Sequence, residues 1–241
     1  MNNFSQIFVV GDIHGCYILL KQIHKKILDK SINTSGNKLL IYLGDYIDRG
    51  PKIKETIQAL LNFQPDNFQQ IFLLGNHEQM MLDFINNVPD SLYLWILNGG
   101  DKTLNSYGIK DKAFFYNKTK GNETIYNEIV NKFPKDHLQF FNNLTLSYQW
   151  GEYFFVHAGI DPDIPLDKQD KNTLIWQRKE KFFSNKKDFE KIIVHGHTPQ
   201  PKIENLTNRI NLDTGAFYTG ILSCLIIDTK TGKKQFINTT N

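Results

Sequence analysis

The chain has 241 residues, a formal net charge of +3 and 22% charged residues, enough for one sizeable α/β core but too mildly and diffusely basic to announce a nucleic-acid partner. Two cysteines, Cys16 and Cys224, are too few for a disulfide framework, so a reducing compartment is expected. No apolar stretch approaches the roughly 20 residues of a membrane span, and the N-terminus lacks the basic and apolar regions of a signal peptide, so the expectation is a cytoplasmic protein.

Ile7–Val10 is a short apolar run that stops at a glycine and predicts a buried strand. Cys16 to Asp29 carries Tyr17, Leu20, Ile23, Ile27 and Leu28 at helical spacing. A second strand is expected over Leu39–Leu43 and a helix over Ile53–Phe63. A third pair follows, with a strand over Ile71–Leu74 and a helix over His77–Ile85. Strand, loop and helix repeated three times predict a mostly parallel sheet with covering helices. Residues 88–143 lack strong strand signals and are rich in Asn, Lys and Tyr. They read as a mainly helical cap inserted into a single domain spanning 1–241, with helices over Leu92–Leu97 and Pro134–Phe141. Strands are expected again at Leu144–Tyr148, Tyr153–Val156 and Ile192–Val194. The runs Ile210–Leu212, Ile221–Ile227 and Lys234–Ile237 read as antiparallel strands and turns, with Thr231-Gly232 as a hairpin turn.

Five short segments follow apolar runs: Gly11-Asp-Ile-His-Gly15, Gly44-Asp-Tyr-Ile-Asp-Arg-Gly-Pro51, Gly75-Asn-His-Glu78, Val156-His-Ala-Gly159 and His195-Gly-His-Thr198. Ligands of open α/β sheets bind at the carboxyl ends of strands, so Asp12, Asp45, Asn76, His157 and His197 are expected to converge at one edge. Asp12 and His14, two residues apart in an extended segment, would project to the same side and share a metal. Asn76, His157 and His197 could supply a second, and Asp45 can bridge the two. A set of oxygen and imidazole donors without thiolate suits Mn, Fe or Zn. Two such ions could clamp a phosphoryl group and bring the pKa of a bound water towards roughly 7. His77 is the candidate general acid for the leaving oxygen, and Asp48 the carboxylate that orients it. Arg49 and Arg178 are candidates for binding phosphate oxygens, with Asn76 beside them.

The intact motifs GDxHG, GDxxDRG and GNHE resemble the phosphoprotein phosphatases within the calcineurin-like metallophosphoesterases, over about residues 6–228. Gly75–Leu82, Trp95, Asn98-Gly99-Gly100 and Gly196-His197-Thr198 are most similar to the bacterial and phage Ser/Thr phosphatase branch. The resemblance implies an α/β fold, α+β in part, with a four-layer β-sandwich core flanked by helices. It also implies hydrolysis of phosphomonoesters by two divalent ions, Mn first, with Fe, Zn or a mixed pair as alternatives, and no phosphoenzyme. The family's ligands fall on Asp12, His14, Asp45, Asn76, His157 and His197, its acid on His77, that acid's partner on Asp48 and its first phosphate arginine on Arg49. The expected substrate is a phosphorylated protein. Symmetric dinucleoside tetraphosphate hydrolases share GDxHG and the GHT-type ending but typically lack the acid at position 48 and carry Asp at 78. They are the alternative, together with other nucleoside polyphosphate or RNA-cap substrates; a non-catalytic phosphate-binding module is the third reading.

Several other residues are expected to be structural. His195 reads as a strand residue or a support behind the ligands, His24 and His137 as surface residues on helices, and Cys16 as packing. Glu78 reads as a helix-start charge or a partner of the metal loop. Asp213-Thr214-Gly215 reads as a turn or a support for the site, and the lysines of 179–191 as a solvated face.

Overall fold

A computed structural model describes residues 4–110, 118–184 and 188–240. The fold is mixed α/β, built on two five-stranded sheets. In the first, β1 (Phe4–Val10), β2 (Asn37–Tyr42) and β3 (Phe68–Phe72) run parallel in the order β10-β9-β1-β2-β3, where β9 (Ser223–Asp228) and β10 (Lys234–Asn238) are antiparallel additions. In the second, β5 (Tyr153–Val156), β6 (Ile192–His195) and β8 (Arg209–Asn211) are parallel, with β4 (Ser147–Trp150) and β7 (Glu204–Asn205) antiparallel at the two edges.

Side-chain alternation along β1 explains the layering. Ile7 and Val9 point between the sheets and pack with Leu39, Ile41, Phe155, Val194 and Ile210. Phe8 and Val10 point the other way, with Leu40 and Tyr42, onto α1 (Tyr17–Ser31) and α2 (Ile53–Asn62). Both faces of these strands are buried, which is why they read as continuous apolar runs rather than alternating ones. On the outer face of the second sheet, Phe154, Val156 and Ile193 pack on Leu174 and Ile175 of α8 (Lys171–Trp176) and on Phe182 of α9 (Glu180–Phe183). Helices, sheet, sheet and helices therefore stack as four layers.

The stretch 88–143, expected to be a cap, carries helices where it is described. It comprises α4 (Ser91–Trp95), a π-helical turn over Ile96–Gly100, α5 (Asp101–Ser106), α6 (Lys118–Lys132) and α7 (Lys135–Asn142). Residues 111–117 of that stretch and 185–187 of the lysine stretch lie outside the described residues. Trp95, Leu104, Ile125, Phe140 and Phe141 join the core that also takes in Met80, Met81 and Phe84 of α3 (Asn76–Ile85). The expected Thr231-Gly232 turn joins β9 to β10, with Gly232 at φ 69°.

Three expectations need correction. β8 is not antiparallel in the main: it pairs parallel with β6 and antiparallel only with the two-residue β7, which has too few residues to leave a sequence signal. His24 is buried rather than at the surface. It shares the inner stripe of α1 with Leu20, Ile23 and Ile27, stacks on Phe63 with ring centroids 3.7 Å apart, and its Nε2 meets the Tyr42 hydroxyl at 2.8 Å. His137 is buried too, its Nδ1 2.7 Å from the Tyr107 hydroxyl and its Nε2 3.2 Å from Gln58 Oε1. Each ring fills core space with a tyrosine hydroxyl from another element on one nitrogen, and His137 has Gln58 on the other.

Candidate functional site

The loops after β1, β2, β3, β5 and β6 bring Asp12, Asp45, Asn76, His157 and His197 to one edge, all buried. The backbone there is held in an unusual conformation. His14, Asp45, Asp48, Arg49 and His197 all have positive φ, between 46° and 67°. Five of the candidate residues thus occupy a region that costs a non-glycine residue free energy, a pattern that clusters where geometry serves function. The Asp12–His14 segment is accordingly not extended: Asp12 Oδ2 accepts the His197 N–H at 3.0 Å while His14 turns towards Asp45. Tight approach is served by glycine at two points, since a Cβ on Gly75 would collide with Asp45 Oδ1 and one on Gly196 with Asp12 Oδ1.

Glu78 shapes the second loop. At the third position of α3, its Oε1 accepts the N–H of Tyr46 at 2.7 Å and of Ile47 at 3.1 Å. Its Oε2 accepts the N–H of Asp45 at 2.9 Å and of Gly75 at 3.2 Å, the last being half of a capping box. Burial and then the Asp45 charge push its carboxyl up to about 8, and the backbone donors pull the other way. With four N–H groups on its lone pairs, no acceptor is left for a proton, and the carboxylate is the form this geometry holds. Glu78 is therefore a partner of the loop rather than only a helix-start charge.

The donor atoms converge in two overlapping groups, His14 with Asp45 and His77, and Asp45 with His157 and His197. Hydrogen bonding at their far side fixes the tautomers. His14 Nδ1–H donates to Ile47 O at 2.8 Å and His157 Nδ1–H to Leu43 O at 2.9 Å. Each Nε2 is then a lone pair. His14 Nε2 lies 3.4 Å from Asp45 Oδ2, and His157 Nε2 lies 3.3 Å from Asp45 Oδ1 and 3.0 Å from Asn76 Oδ1. Burial pushes His14 down to about 3 and lowers His157 as well, so no imidazolium proton mediates these contacts. Asp12 Oδ1 is buried without a hydrogen-bond partner. Acceptors facing acceptors in a buried site fit divalent cations. Burial works to raise the Asp45 carboxyl, but His157, His77, His14 and His197 around it outweigh burial and hold it low.

His77 stands beside this cluster, its ring 4.7 Å from that of His14. Its Nδ1 is 2.7 Å from Asp48 Oδ2. Burial alone would depress His77; the carboxylates of Asp45 and Asp48 outweigh it and raise the imidazole above its ordinary 6.5. Asp48 is itself raised by burial, against the hydrogen bonds of His77, Thr103 and Trp95. The helical stretch after α3 supplies the last two of those partners. Trp95 Nε1–H lies 3.0 and 3.1 Å from the Asp48 carboxylate oxygens, and Thr103 Oγ1–H donates to Oδ1 at 2.5 Å while accepting the Asp48 N–H at 3.0 Å. Trp95 was legible only as part of a resemblance, and Thr103 had no signal at all.

Both arginines are at the site and both rest on imidazole nitrogens. Arg49 Nη2 is 3.1 Å from His77 Nε2, and its guanidinium lies 5.0 Å from the centroid of the Phe217 ring. Arg178 Nε–H donates to His197 Nε2 at 2.9 Å, which leaves the ring proton on Nδ1, 2.8 Å from Asn76 Oδ1. Trp176 stands edge-on to His197, with centroids 6.0 Å apart, and borders an open cleft of about 460 Å³ with Arg178 and Lys179. Phe217, on α10 (Ala216–Thr219), lies 5.4 Å from His14 and carried no sequence signal.

The remaining candidates sit around this centre. His195 lies in β6 with Nδ1 3.1 Å from Gly196 O and Nε2 3.5 Å from Arg209, outside both donor groups. Asp213 is buried, pushed up to about 6 by that burial, and accepts the Gly215 N–H at 2.9 Å in the turn before α10. Cys16 and Cys224 are free, and burial pushes the Cys16 thiol up to about 11, which leaves it unreactive packing. Lys179 and Lys181 are exposed, and Lys181 pairs with Asp163. Among the described residues no helix is long and apolar enough to cross a membrane.

The calcineurin-like phosphoesterase profile matches residues 5–220. The chain is 30% identical over 231 residues to serine/threonine-protein phosphatase 2 of Salmonella typhimurium, covering 91% of this chain and 92% of the relative. It is 25% identical to the asymmetrical bis(5'-nucleosyl)-tetraphosphatase PrpE of Anoxybacillus flavithermus, covering 90% and 88%. Its fold superposes on a provisionally named diadenosine tetraphosphatase with TM-score 0.64 at 18% identity, covering 99% of this chain and 96% of the other. The chain belongs to the calcineurin-like phosphoesterase family and is a phosphoric ester hydrolase, with a donor set suited to divalent metal.

Proposed function

We propose that the protein is a two-metal phosphomonoesterase acting on phosphoserine or phosphothreonine in proteins. The observation that carries this reading is the His77–Asp48 pair, 2.7 Å apart and buried beside a cluster of carboxylate and imidazole groups that could hold metal. Asp12, His14 and Asp45 would hold one ion, and Asp45, Asn76, His157 and His197 the other. Divalent cations there supply a Lewis acid and a nucleophile activated at neutral pH.

The protein's own residues do the rest. Arg49 and Arg178 exchange their imidazole contacts for phosphate oxygens, which a planar guanidinium matches in pairs, and Asn76 can add its amide N–H. Departure of Arg49 uncovers His77 Nε2, the atom that delivers a proton to the leaving oxygen. Asp48 holds Nδ1–H, fixing the ring orientation and stabilising the imidazolium that forms once Arg49 has left Nε2. Trp95 and Thr103 keep the Asp48 carboxylate aimed. Glu78, by fixing four amides, keeps Asp45 between the two donor groups.

The similarity to serine/threonine-protein phosphatase 2 over nine-tenths of both chains supports the phosphoprotein reading. The PrpE likeness and the cleft beside Trp176, Arg178 and Lys179, large enough for a nucleoside, favour a second reading, hydrolysis of dinucleoside polyphosphates. Steady-state rates on a phosphoserine peptide and on a dinucleoside tetraphosphate, in protein reloaded with Mn, Fe, Zn or Mg, separate the two. A higher kcat/KM on the peptide is the expected result, and a higher value on the tetraphosphate would overturn it.

A further inference from the structure

Phe217 has no part in the chemistry described above, yet its ring lies against two of the groups that perform it. Its centroid is 5.4 Å from that of His14, edge to face, and 5.0 Å from the Arg49 guanidinium carbon. Arg49 in turn reaches His77 Nε2 at 3.1 Å, and the His77 ring is 4.7 Å from His14. The four side chains form a closed chain of contacts that includes the nitrogen proposed to protonate the leaving oxygen. The ring is not sealed into the core: Phe217 is 36% exposed and its neighbour Tyr218 is 59% exposed.

The backbone presents this ring firmly. α10 is a single turn bounded by Gly215 and Gly220, both at positive φ. Ala216 anchors it in the core, and Thr219 Oγ1–H, 2.8 Å from Thr214 O and 3.0 Å from Gly215 O, ties its end back to its start. An exposed aromatic on a pinned turn is a wall of the site rather than a loose surface side chain.

A leaving oxygen must come within about 2.6–3.2 Å of the acid nitrogen. The atoms bonded to that oxygen then lie next to Arg49, and hence near the exposed part of the Phe217 ring. A serine or threonine leaving group brings only a methylene or methine carbon there. An aryl leaving group brings a ring with a face and an edge to match.

We propose that Phe217 is a specificity-determining residue that packs against the leaving group and extends the phosphoserine and phosphothreonine activity to aryl phosphomonoesters, phosphotyrosine among them. The proposal rests on the phosphomonoesterase reading and on His77 as the proton donor. A simpler role, holding Arg49 by its ring face, would affect every phosphoester alike, because all present the same phosphate to Arg49.

The test is a comparison of kcat and KM on one peptide sequence carrying either phosphotyrosine or phosphoserine. The wild type, Phe217→Tyr and Phe217→Leu are measured, each metal-loaded. Phe217→Leu keeps an apolar side chain of similar bulk and removes the ring, so its fold is checked by thermal melting alone. The expected result is that Phe217→Leu lowers the ratio of kcat/KM for phosphotyrosine over phosphoserine by about two- to tenfold, through KM, while Phe217→Tyr preserves the ratio. Equal losses on both peptides would overturn the proposal in favour of the Arg49 role, and an unchanged ratio without loss would overturn it outright. A wild type active on neither peptide would sink the phosphomonoesterase reading itself.

Discussion

Glu78→Gln isolates what one carboxylate does for the loop that carries Asp45. The carboxylate accepts four backbone N–H groups, from Tyr46 and Ile47 on one oxygen and from Asp45 and Gly75 on the other. A glutamine has the same shape and one carbonyl oxygen. Whichever way its amide turns, an NH2 faces two buried N–H donors, and two donors lose their acceptor. At ~1–3 kcal/mol for each buried donor left unsatisfied, the expected loss is roughly 2–6 kcal/mol, a large part of the roughly 5–15 kcal/mol that holds a typical domain together. The assay is urea unfolding of wild type and variant in chelator, so that ligand binding does not mask the difference. The displaced loop moves Asp45, so titration calorimetry of the same variant is expected to show metal affinity reduced about 10- to 100-fold. A loss below about 1 kcal/mol would refute the reasoning, because it would mean that the four contacts are replaceable by water and the loop is held by something else.

The other expectations follow from the same geometry. His77→Asn is expected to keep metal content and fold while kcat drops about 10²–10⁴-fold on an alkyl phosphoester; elemental analysis beside steady-state kinetics checks both halves. Trp95→Phe removes one donor from a buried carboxylate, and thermal melting should show a stability loss of about 1.5–3 kcal/mol, with a lower kcat as Asp48 loses its aim. Asp45→Asn takes the shared charge from both donor groups, and full occupancy by elemental analysis in that variant would contradict the bridge. For pH, the folded His77 value is raised above 6.5. Its protonated form, and the stability that form contributes, is fully present below the unfolded value and is lost as pH rises through the folded one. The profile of kcat is therefore expected to fall on its basic side, above pH 6.5, and to lose that limb in His77→Asn; an identical limb in the variant would assign the ionisation elsewhere.

The placement of Asp12, Asp45, Asn76, His157 and His197 was legible because each follows an apolar run, and the run marks where a parallel strand ends. The positive φ at His14, Asp45 and His197 was not, since nothing in an Asp or His announces the left-handed conformation that tertiary contacts impose. The contacts of Trp95 and Thr103 with Asp48 escaped for a related reason. The two side chains reach Asp48 across 47 and 55 residues, through a helical stretch whose path the local pattern does not determine. His24 and His137 were misplaced because a histidine counts as polar in a helical pattern, while in the fold a tyrosine hydroxyl on another element meets each ring. The division into two sheets was carried by family likeness, since apolar runs alone fit a single doubly wound sheet equally well.

The central claim, that two cations bound by these residues drive phosphoester hydrolysis, is tested most directly by titrating metal-free protein with Mn while bound metal and turnover of a phosphoserine peptide are followed in the same sample. The account predicts saturation near two ions per chain, turnover that rises with the second, and loss of both in Asp45→Asn. Binding of two ions with no turnover of any phosphoester, or turnover independent of added and chelated metal, would contradict it.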